Sequence, residues 1–173
     1  MRPIGKVMLG KLRKTRGVRP ADLCPADGST AKLLQKAAAV TGRPITVIEK
    51  HLPSGGPSGV WVCLPDKDLV VLDTQGTLMR RDAALCHELG HIVLGHSPSE
   101  GDTAALFPDL DPALVAALLG DSAEDRSGGQ AMMFRCTYED RQELEAERFA
   151  TELLSALIDS RNTAISHAYN RFR

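Results

Sequence analysis

The segment ALCHELGHIVLGH, residues 84–96, contains three of the five histidines of this 173-residue chain and restricts its fold more than any other feature. Its apolar residues recur at helical spacing, and Gly95 followed by a polar segment marks the end of a helix. His87 and His91 are four residues apart, so their side chains leave the same face of that helix. Two imidazoles on one face can bind one metal ion, which requires the fold to bring further ligands to this face.

Glu88 completes the pattern HExxH. A carboxylate beside the first histidine can reach water at the ion, and a catalytic zinc site needs three protein ligands and one open position. We therefore predict that His87 and His91 are zinc ligands and that Glu88 is the catalytic general base. The alternative is that the two histidines are simply packed or solvated. Cys86 is predicted to be a small buried apolar residue, because about 100° of helical rotation separates it from His87.

His96 is not the expected third ligand. Zinc peptidases with the pattern HExxHxxGxxH have Gly and His at the positions equivalent to 94 and 97, whereas this chain has Leu94, Gly95 and His96. After a helix cap at Gly95, His96 would point into the following loop. We interpret it as a histidine at a helix C terminus, stabilised by the helix dipole. The third ligand is then expected from another element.

The segment QELEAERFATELLSALI offers that ligand, in a helix predicted from about residue 138 to residue 158. Glu143 and Glu147 project to the edge of its apolar face, and Glu145 projects to the opposite side. Buried carboxylates are costly unless they are paired or bound to metal. We therefore predict Glu143 as the third ligand and Glu147 as the acceptor of a hydrogen bond from a ligating histidine. The alternative is that both are ordinary glutamates beside the apolar face, which comprises Ala146, Ala150, Leu153, Leu154, Leu157 and Ile158.

The other elements follow from periodicity and turn residues. Ser29 or Thr30 is predicted to cap a helix that ends at Gly42, and the runs ITVIEKHL, GVWVCLP and DLVVLDT predict three strands. A short helix is expected around residues 113–119, and Thr137 is placed to cap the last helix. The predicted fold class is α+β, with a small, mostly antiparallel sheet of about three strands packed on helices. The predicted organisation is a basic, partly flexible N-terminal segment over residues 1–27 and a single domain over residues 28–173.

Composition excludes several classes of protein. The net charge of -1 argues against a surface built mainly for nucleic acid or anionic membrane, and an aromatic content of 4% leaves few platforms for stacking bases. The chain has no apolar run of about 18 to 20 residues and no secretion signal at its start. Its four cysteines form no CxxC pair. We expect a cytoplasmic protein that does not bind membranes and does not bind nucleic acid directly.

The two helical motifs together resemble the ImmA/IrrE family of metallopeptidases. HELGHIVLGH, followed about fifty residues later by ELEAERFATELL, is similar to the family pattern of HExxH and then ExEAxxFAxxLL, and the resemblance covers about residues 59–157. It implies a thermolysin-like zincin fold in which His87, His91 and Glu143 hold Zn²⁺ and Glu88 is catalytic. Position 147, often Asn or Asp in the family, is Glu here. The frequent Met-Pro ending of the family is replaced by SALIDS.

The resemblance implies a zinc-dependent endopeptidase that cleaves a specific intracellular protein, and a helix-turn-helix repressor is the substrate of many members. Tyr138 is a candidate donor to the oxyanion, or else an ordinary half-buried aromatic residue. An alternative function is a catalytically idle, zinc-stabilised interaction or sensor module that acts on a DNA-bound regulator. The presence of Glu88 argues against it, because a structural site has no use for a general base. A further hypothesis is that Cys24 reaches the open zinc position and keeps the enzyme latent.

Overall fold

The computed structural model describes residues 17–52, 55–64, 66–96 and 140–171. Within these ranges the chain forms four helices and a three-stranded mixed sheet, which confirms the α+β class. Residues 1–16, the expected helix around 113–119, Thr137 and Tyr138 lie outside the described residues. In chain order the elements are α1 (Pro20–Leu23), α2 (Thr30–Thr41), β1 (Ile45–Lys50), β2 (Gly59–Cys63), β3 (Asp68–Asp73), α3 (Leu78–Leu94) and α4 (Asp140–Asn170).

The sheet has the strand order β1-β3-β2. β2 runs antiparallel to β3, as expected for strands joined by a short turn, but β1 runs parallel to β3. The prediction of a mostly antiparallel sheet is therefore wrong for one of the two strand pairs. β2 follows β1 along the chain, but β3 lies between these two strands in the sheet. Because β3 then returns between the two earlier strands, it lies parallel to β1.

Capping residues define where two of the helices begin. Ser29 caps α2 through its side chain, and Gly42 ends that helix in the left-handed conformation at φ 71°. Thr77 accepts a backbone hydrogen bond at the start of α3, so the helix begins at Leu78. The first turn of α3 is exposed and carries no core-facing apolar pattern from which its start could be read.

The main core lies between one face of the sheet and the helices. Leu23 of α1 belongs to it, so the described part of the predicted N-terminal segment packs with the rest of the domain. A smaller cluster covers the other face of the sheet. α3 and α4 make the most extensive contact between helices, which brings the HExxH helix against the predicted ligand helix. The largest buried side chains of the main core include Leu23, Leu33, Trp61, Val70, Leu85, Leu89, Leu153 and Leu157.

Arg161 explains why α4 continues beyond the predicted end near Ile158. Its guanidinium forms an ion pair with Asp82 of α3 and donates a hydrogen bond to the backbone oxygen of Gly28, 3.0 Å away. These partners are distant in sequence, so the polar residues after Ile158 give no local indication that the helix continues. The contact joins the second half of α4 to both α3 and the loop before α2.

We expect Gly28→Ala to destabilise the protein more than Gly42→Ala. Both glycines have positive φ, 64° and 71°, so either alanine is strained by about 1 kcal/mol. A Cβ on Gly28 would collide with Cγ of Arg161 and lie 3.0 Å from its backbone nitrogen, whereas a Cβ on Gly42 would meet nothing within 4 Å. Displacing Arg161 should cost about 1–3 kcal/mol more. Urea denaturation of both variants measures the difference, and equal losses would contradict the role assigned to Arg161.

Candidate metal centre

The three predicted ligands meet where α3 packs against α4. Nε2 of His91 lies 3.0 Å from Nε2 of His87. The carboxylate oxygens of Glu143 lie 3.4 Å from Nε2 of His87 and 3.7 Å from Nε2 of His91. All the candidate ligand atoms lie within 4.8 Å of one another. Among the described residues, this group could hold one metal ion.

A close helix crossing places Glu143 over the two imidazoles. A Cβ on Gly90 would lie 3.1 Å from the backbone oxygen of Ala146 and 3.3 Å from its Cα. The two helices therefore approach backbone to backbone at this point, which only small residues permit. Gly90 directly precedes His91, and Ala146 follows Glu143 by about one turn. The crossing thus brings the carboxylate of one helix to the ligand face of the other.

The electrostatic surroundings keep His91 neutral. Its side chain is 0% exposed, and burial, followed by the neighbouring His87 and His96, lowers the pKa of His91 to about 3. A neutral imidazole can present a lone pair at Nε2. Glu143 is 42% exposed and adds a carboxylate to the same point. Electron-pair donors that face each other this closely are stabilised by a cation between them.

Glu88 lies beside this group and is buried. It is 7% exposed, and burial raises its pKa to about 8, with a further contribution from the negative charge of Glu143. A hydrogen bond from the backbone N–H of Trp61 acts in the opposite direction and lowers the pKa. Trp61 belongs to β2, which is an outer strand of the sheet that the described residues form. The predicted catalytic carboxylate of α3 is therefore located beside β2.

A groove of about 420 Å³ opens next to His87 and Glu88. Its walls come from α3, from α4 and from the segment that leads into β2. Within the described residues, the groove connects these two residues to the protein surface. Other residues that line it include Gly59, Ala84, Glu147 and Leu154.

Glu147 does not occupy the buried position that its helical projection predicted. It is exposed and lines the groove, and no hydrogen bond within the described part of the chain joins its side chain to a ligand histidine. Phe149, which the predicted apolar face omitted, is only 5% exposed, whereas Leu154 and Ile158 are only partly buried. The buried face is therefore rotated by roughly 40° away from Glu147 and toward Glu145. The role assigned to Glu147 has no support in this geometry.

His96 lies on the far side of the His91 ring from the metal group. Its Nδ1 lies 3.0 Å from Nδ1 of His91, and its Nε2 lies 3.4 Å from Oε2 of Glu145. His96 does not join the group of candidate ligands, but the prediction that it points into the following loop is wrong, because it is buried against His91. Sequence analysis missed both contacts, although one local signal was available. A glycine that ends a helix in the left-handed conformation, such as Gly95, turns the next residue back over the preceding helical turn.

The two cysteines considered above lie apart from the metal centre. Cys86 is fully buried, and burial raises its pKa to about 12, so its predicted apolar role is confirmed. The Sγ of Cys24 lies 3.3 Å from Oγ of Ser160. Ser160 is roughly 25 Å along α4 from Glu143, at 1.5 Å per residue. The hypothesis that Cys24 occupies the open metal position is therefore wrong.

The raised pKa of Glu88 predicts how pH affects the metal-free protein. Glu88 binds a proton more tightly in the folded chain, with a pKa near 8, than at its ordinary value of 4.5. The free energy of unfolding should therefore fall as pH rises through this window, by at most about 1.4 kcal/mol per pH unit. Glu88→Gln removes the ionisable group, so the metal-free variant should be more stable than wild type at pH 8 and equal to it at pH 4.5.

Chemical denaturation in the presence of a chelator, at pH values from 4.5 to 8.5, measures this difference. The comparison with wild type cancels the contributions of the ionisable groups that both proteins share. Parallel stability curves for the two proteins would contradict the raised pKa.

No protein-family model, curated protein or solved structure matches this chain. None of the helices in the part of the chain that the structure describes is long and apolar enough to cross a membrane. The relation to the ImmA/IrrE family therefore stays a prediction from the two sequence motifs.

Proposed function

We propose that this protein is a zinc-dependent endopeptidase of the ImmA/IrrE type with a zincin-like domain. One observation carries the proposal: two imidazole nitrogens and a carboxylate converge on one point, and Glu88 lies buried in the adjoining groove. The two imidazoles and the carboxylate would supply the ligands of a metal ion. Glu88 would supply a base beside a surface that a substrate can reach.

The donor set fits zinc. Two imidazoles and one carboxylate are a ligand set of catalytic zinc sites, whereas Ca²⁺ and Mg²⁺ prefer oxygen ligands throughout. Ligand atoms at about 2.0–2.1 Å from a tetrahedral zinc ion lie about 3.3 Å apart. Nε2 of His87 and Nε2 of His91 lie 3.0 Å apart, Oε2 of Glu143 lies 3.4 Å from the first, and Oε1 lies 3.7 Å from the second. Three protein ligands also leave one position open, as catalysis requires.

The proposed reaction is hydrolysis of a peptide bond. Zn²⁺, when bound, supplies a Lewis acid that acidifies water and polarises a carbonyl oxygen. Glu88 takes a proton from the attacking water and passes it to the amine nitrogen that leaves as the C–N bond breaks. To act as a base Glu88 must be ionised, and a positive charge near it favours the ionised form. Its burial also limits competition from bulk water.

The edge of β2 that is unpaired within the described residues is the proposed binding surface for the substrate backbone. An extended peptide can add to an edge strand through main-chain hydrogen bonds. Residues of β2 border Glu88: a Cβ on Gly59 would lie 3.4 Å from Cγ of Glu88, and the backbone N–H of Trp61 reaches its carboxylate. A peptide on this edge would pass the proposed base. We propose a specific intracellular protein as the substrate, and the family resemblance favours a helix-turn-helix transcriptional regulator.

A zinc-stabilised module without catalysis is the alternative that uses the same ligands. Glu88 favours the enzyme. A buried carboxylate with a raised pKa costs free energy in the metal-free protein at neutral pH, and a purely structural site has no need of it. Its position in an open groove also differs from a closed structural site.

The test is cleavage by the purified full chain of a proteome-derived peptide library and of a panel of purified helix-turn-helix regulators. Mass spectrometry of new N termini identifies the cleavage sites, and elemental analysis gives the zinc content. We expect reproducible sites, loss of cleavage after chelation, and recovery with one equivalent of Zn²⁺. Zinc binding without cleavage of either substrate set would favour the non-catalytic module. Absence of zinc binding would overturn both functions.

A further inference from the structure

We propose that His96 is a positioning residue of the metal centre. It fixes the ring orientation and the tautomer of His91, and Glu145 in turn fixes His96. The inference rests on the ligand set of the proposed function, but it does not depend on peptide hydrolysis. It replaces the orienting role that the sequence assigned to Glu147.

The backbone alone places His96 over His91. Gly95 adopts the left-handed conformation with φ 65° at the end of α3. The backbone N–H of Gly95 donates to the oxygen of Ile92 over 3.2 Å, and that of His96 donates to the oxygen of His91 over 3.0 Å. This pair of bonds is the Schellman arrangement, which folds the second residue after a helix back against the last turn. The residue in that turn is here the buried ligand His91.

The two imidazoles then meet through their Nδ1 atoms. The nitrogens are 3.0 Å apart, the ring centroids are 5.1 Å apart, and the ring planes cross at 71°. Both side chains are buried, so water competes poorly for this contact. Nε2 of His91 remains directed toward His87 and Glu143 on the other side of the ring.

A metal ion on Nε2 of His91 would determine which nitrogen donates and which accepts in each of these contacts. A ligating Nε2 must present its lone pair, so the proton of His91 is on Nδ1 and is donated to Nδ1 of His96. His96 must then be neutral and carry its own proton on Nε2, which faces Oε2 of Glu145 at 3.4 Å. The other carboxylate oxygen of Glu145 accepts a hydrogen bond from Nε of Arg141 over 3.0 Å. Every donor along the chain thus has an acceptor.

The effect of each residue on zinc affinity should decrease with its distance from the ligand His91. The contact between His91 and His96 is dry, and partners of this kind typically change metal affinity by about 10- to 100-fold. Glu145 is half-exposed and Arg141 is 87% exposed, so solvent screens their interaction. Glu145 offers Oε2 to His96 while its Oε1 accepts the hydrogen bond from Arg141. We expect a large effect at His96 and a small one at Glu145.

Zinc affinity of the full-length variants, measured by competition with a fluorescent chelator, tests the inference. His96→Leu removes the acceptor for Nδ1–H of His91 and should weaken zinc binding by about 10- to 100-fold. His96→Asn retains an acceptor oxygen near the original Nδ1 and should remain within about threefold of wild type. Glu145→Gln should lose a few-fold, whereas the matched control Glu152→Gln, on the exposed side of α4, should be unchanged.

Thermal unfolding of the metal-free variants separates positioning from general stability. A positioning role predicts that His96→Asn recovers zinc affinity even where it does not recover metal-free stability. Equal affinity losses in the Leu and Asn variants, in proportion to their loss of stability, would overturn the inference. If the Leu variant does not fold, unchanged zinc affinity in Glu145→Gln relative to Glu152→Gln would overturn the inference, and a selective loss in Glu145→Gln would support it.

The outcomes also separate this inference from the proposed function. A wild-type chain that binds no Zn²⁺ overturns the ligand set and the inference together. Wild-type zinc binding with an unaffected His96→Leu variant overturns the inference alone. Zinc binding that depends on His96 in a chain without peptidase activity supports the inference and counts against the enzyme.

Discussion

Glu88→Gln should lower the rate of peptide hydrolysis by about 10²- to 10⁴-fold while leaving the zinc content unchanged. Glutamine has nearly the same shape as glutamate but cannot take a proton from water. Glu88 is not part of the group that could hold the metal, so its replacement removes no ligand. The loss should therefore appear in kcat, with a much smaller change in KM.

Initial rates on the best substrate of the library, together with the zinc content of each preparation, measure this effect. Glu152→Gln is the matched control, because it makes the same chemical change at an exposed position on α4. Unfolding cannot account for the expected loss, since Glu88→Gln should stabilise the metal-free protein at neutral pH. A variant that keeps full activity would show that Glu88 is not the base. A variant that loses zinc would show that its carboxylate helps to hold the ion.

The HExxH half of the site could be predicted because it depends only on local geometry. Residues four apart on a helix share a face whatever the rest of the chain does, so His87 and His91 had to lie together. The cap at Gly95 follows from backbone conformation in the same way. Helical projection added Glu143, in agreement with the family resemblance, and the structure brings it to the two histidines.

The other half of the site depends on how α4 is rotated against α3, which its own sequence does not fix. The apolar face left several orientations open, and only the burial of Phe149 shows which one the fold adopts. That rotation leaves Glu147 exposed and brings Glu145 to His96. Strand order was likewise unpredictable, because the alternation within a strand specifies its buried face but not its neighbours. The length of α4 depends on Arg161 and its distant partners.

Gly90→Val should weaken zinc binding nearly as much as Glu143→Ala, although it changes no ligand. A Cβ at position 90 would already lie 3.1 Å from the backbone oxygen of Ala146. The two further methyl groups of valine require α3 and α4 to separate by about 1 Å, and ligand distances tolerate only about 0.2 Å. Glu143 would then leave the ion. Zinc binding energies of about 10–16 kcal/mol in four-ligand sites give roughly 3 kcal/mol per ligand, or about 100-fold in affinity.

Zinc affinity and metal-free stability of both variants test this role of the crossing. Ala37→Val is the control, because it adds two methyl groups to a fully buried alanine on α2, a helix without ligands. Overpacking should destabilise both valine variants by about 1–3 kcal/mol. Only Gly90→Val should also lose zinc affinity. Glu143 reaches His87 and His91 because the backbones of the two helices approach closely at Gly90, and Ala37→Val does not change that approach. Equal zinc affinities for the two valine variants would show that the ligand carboxylate reaches the ion without the close approach at Gly90.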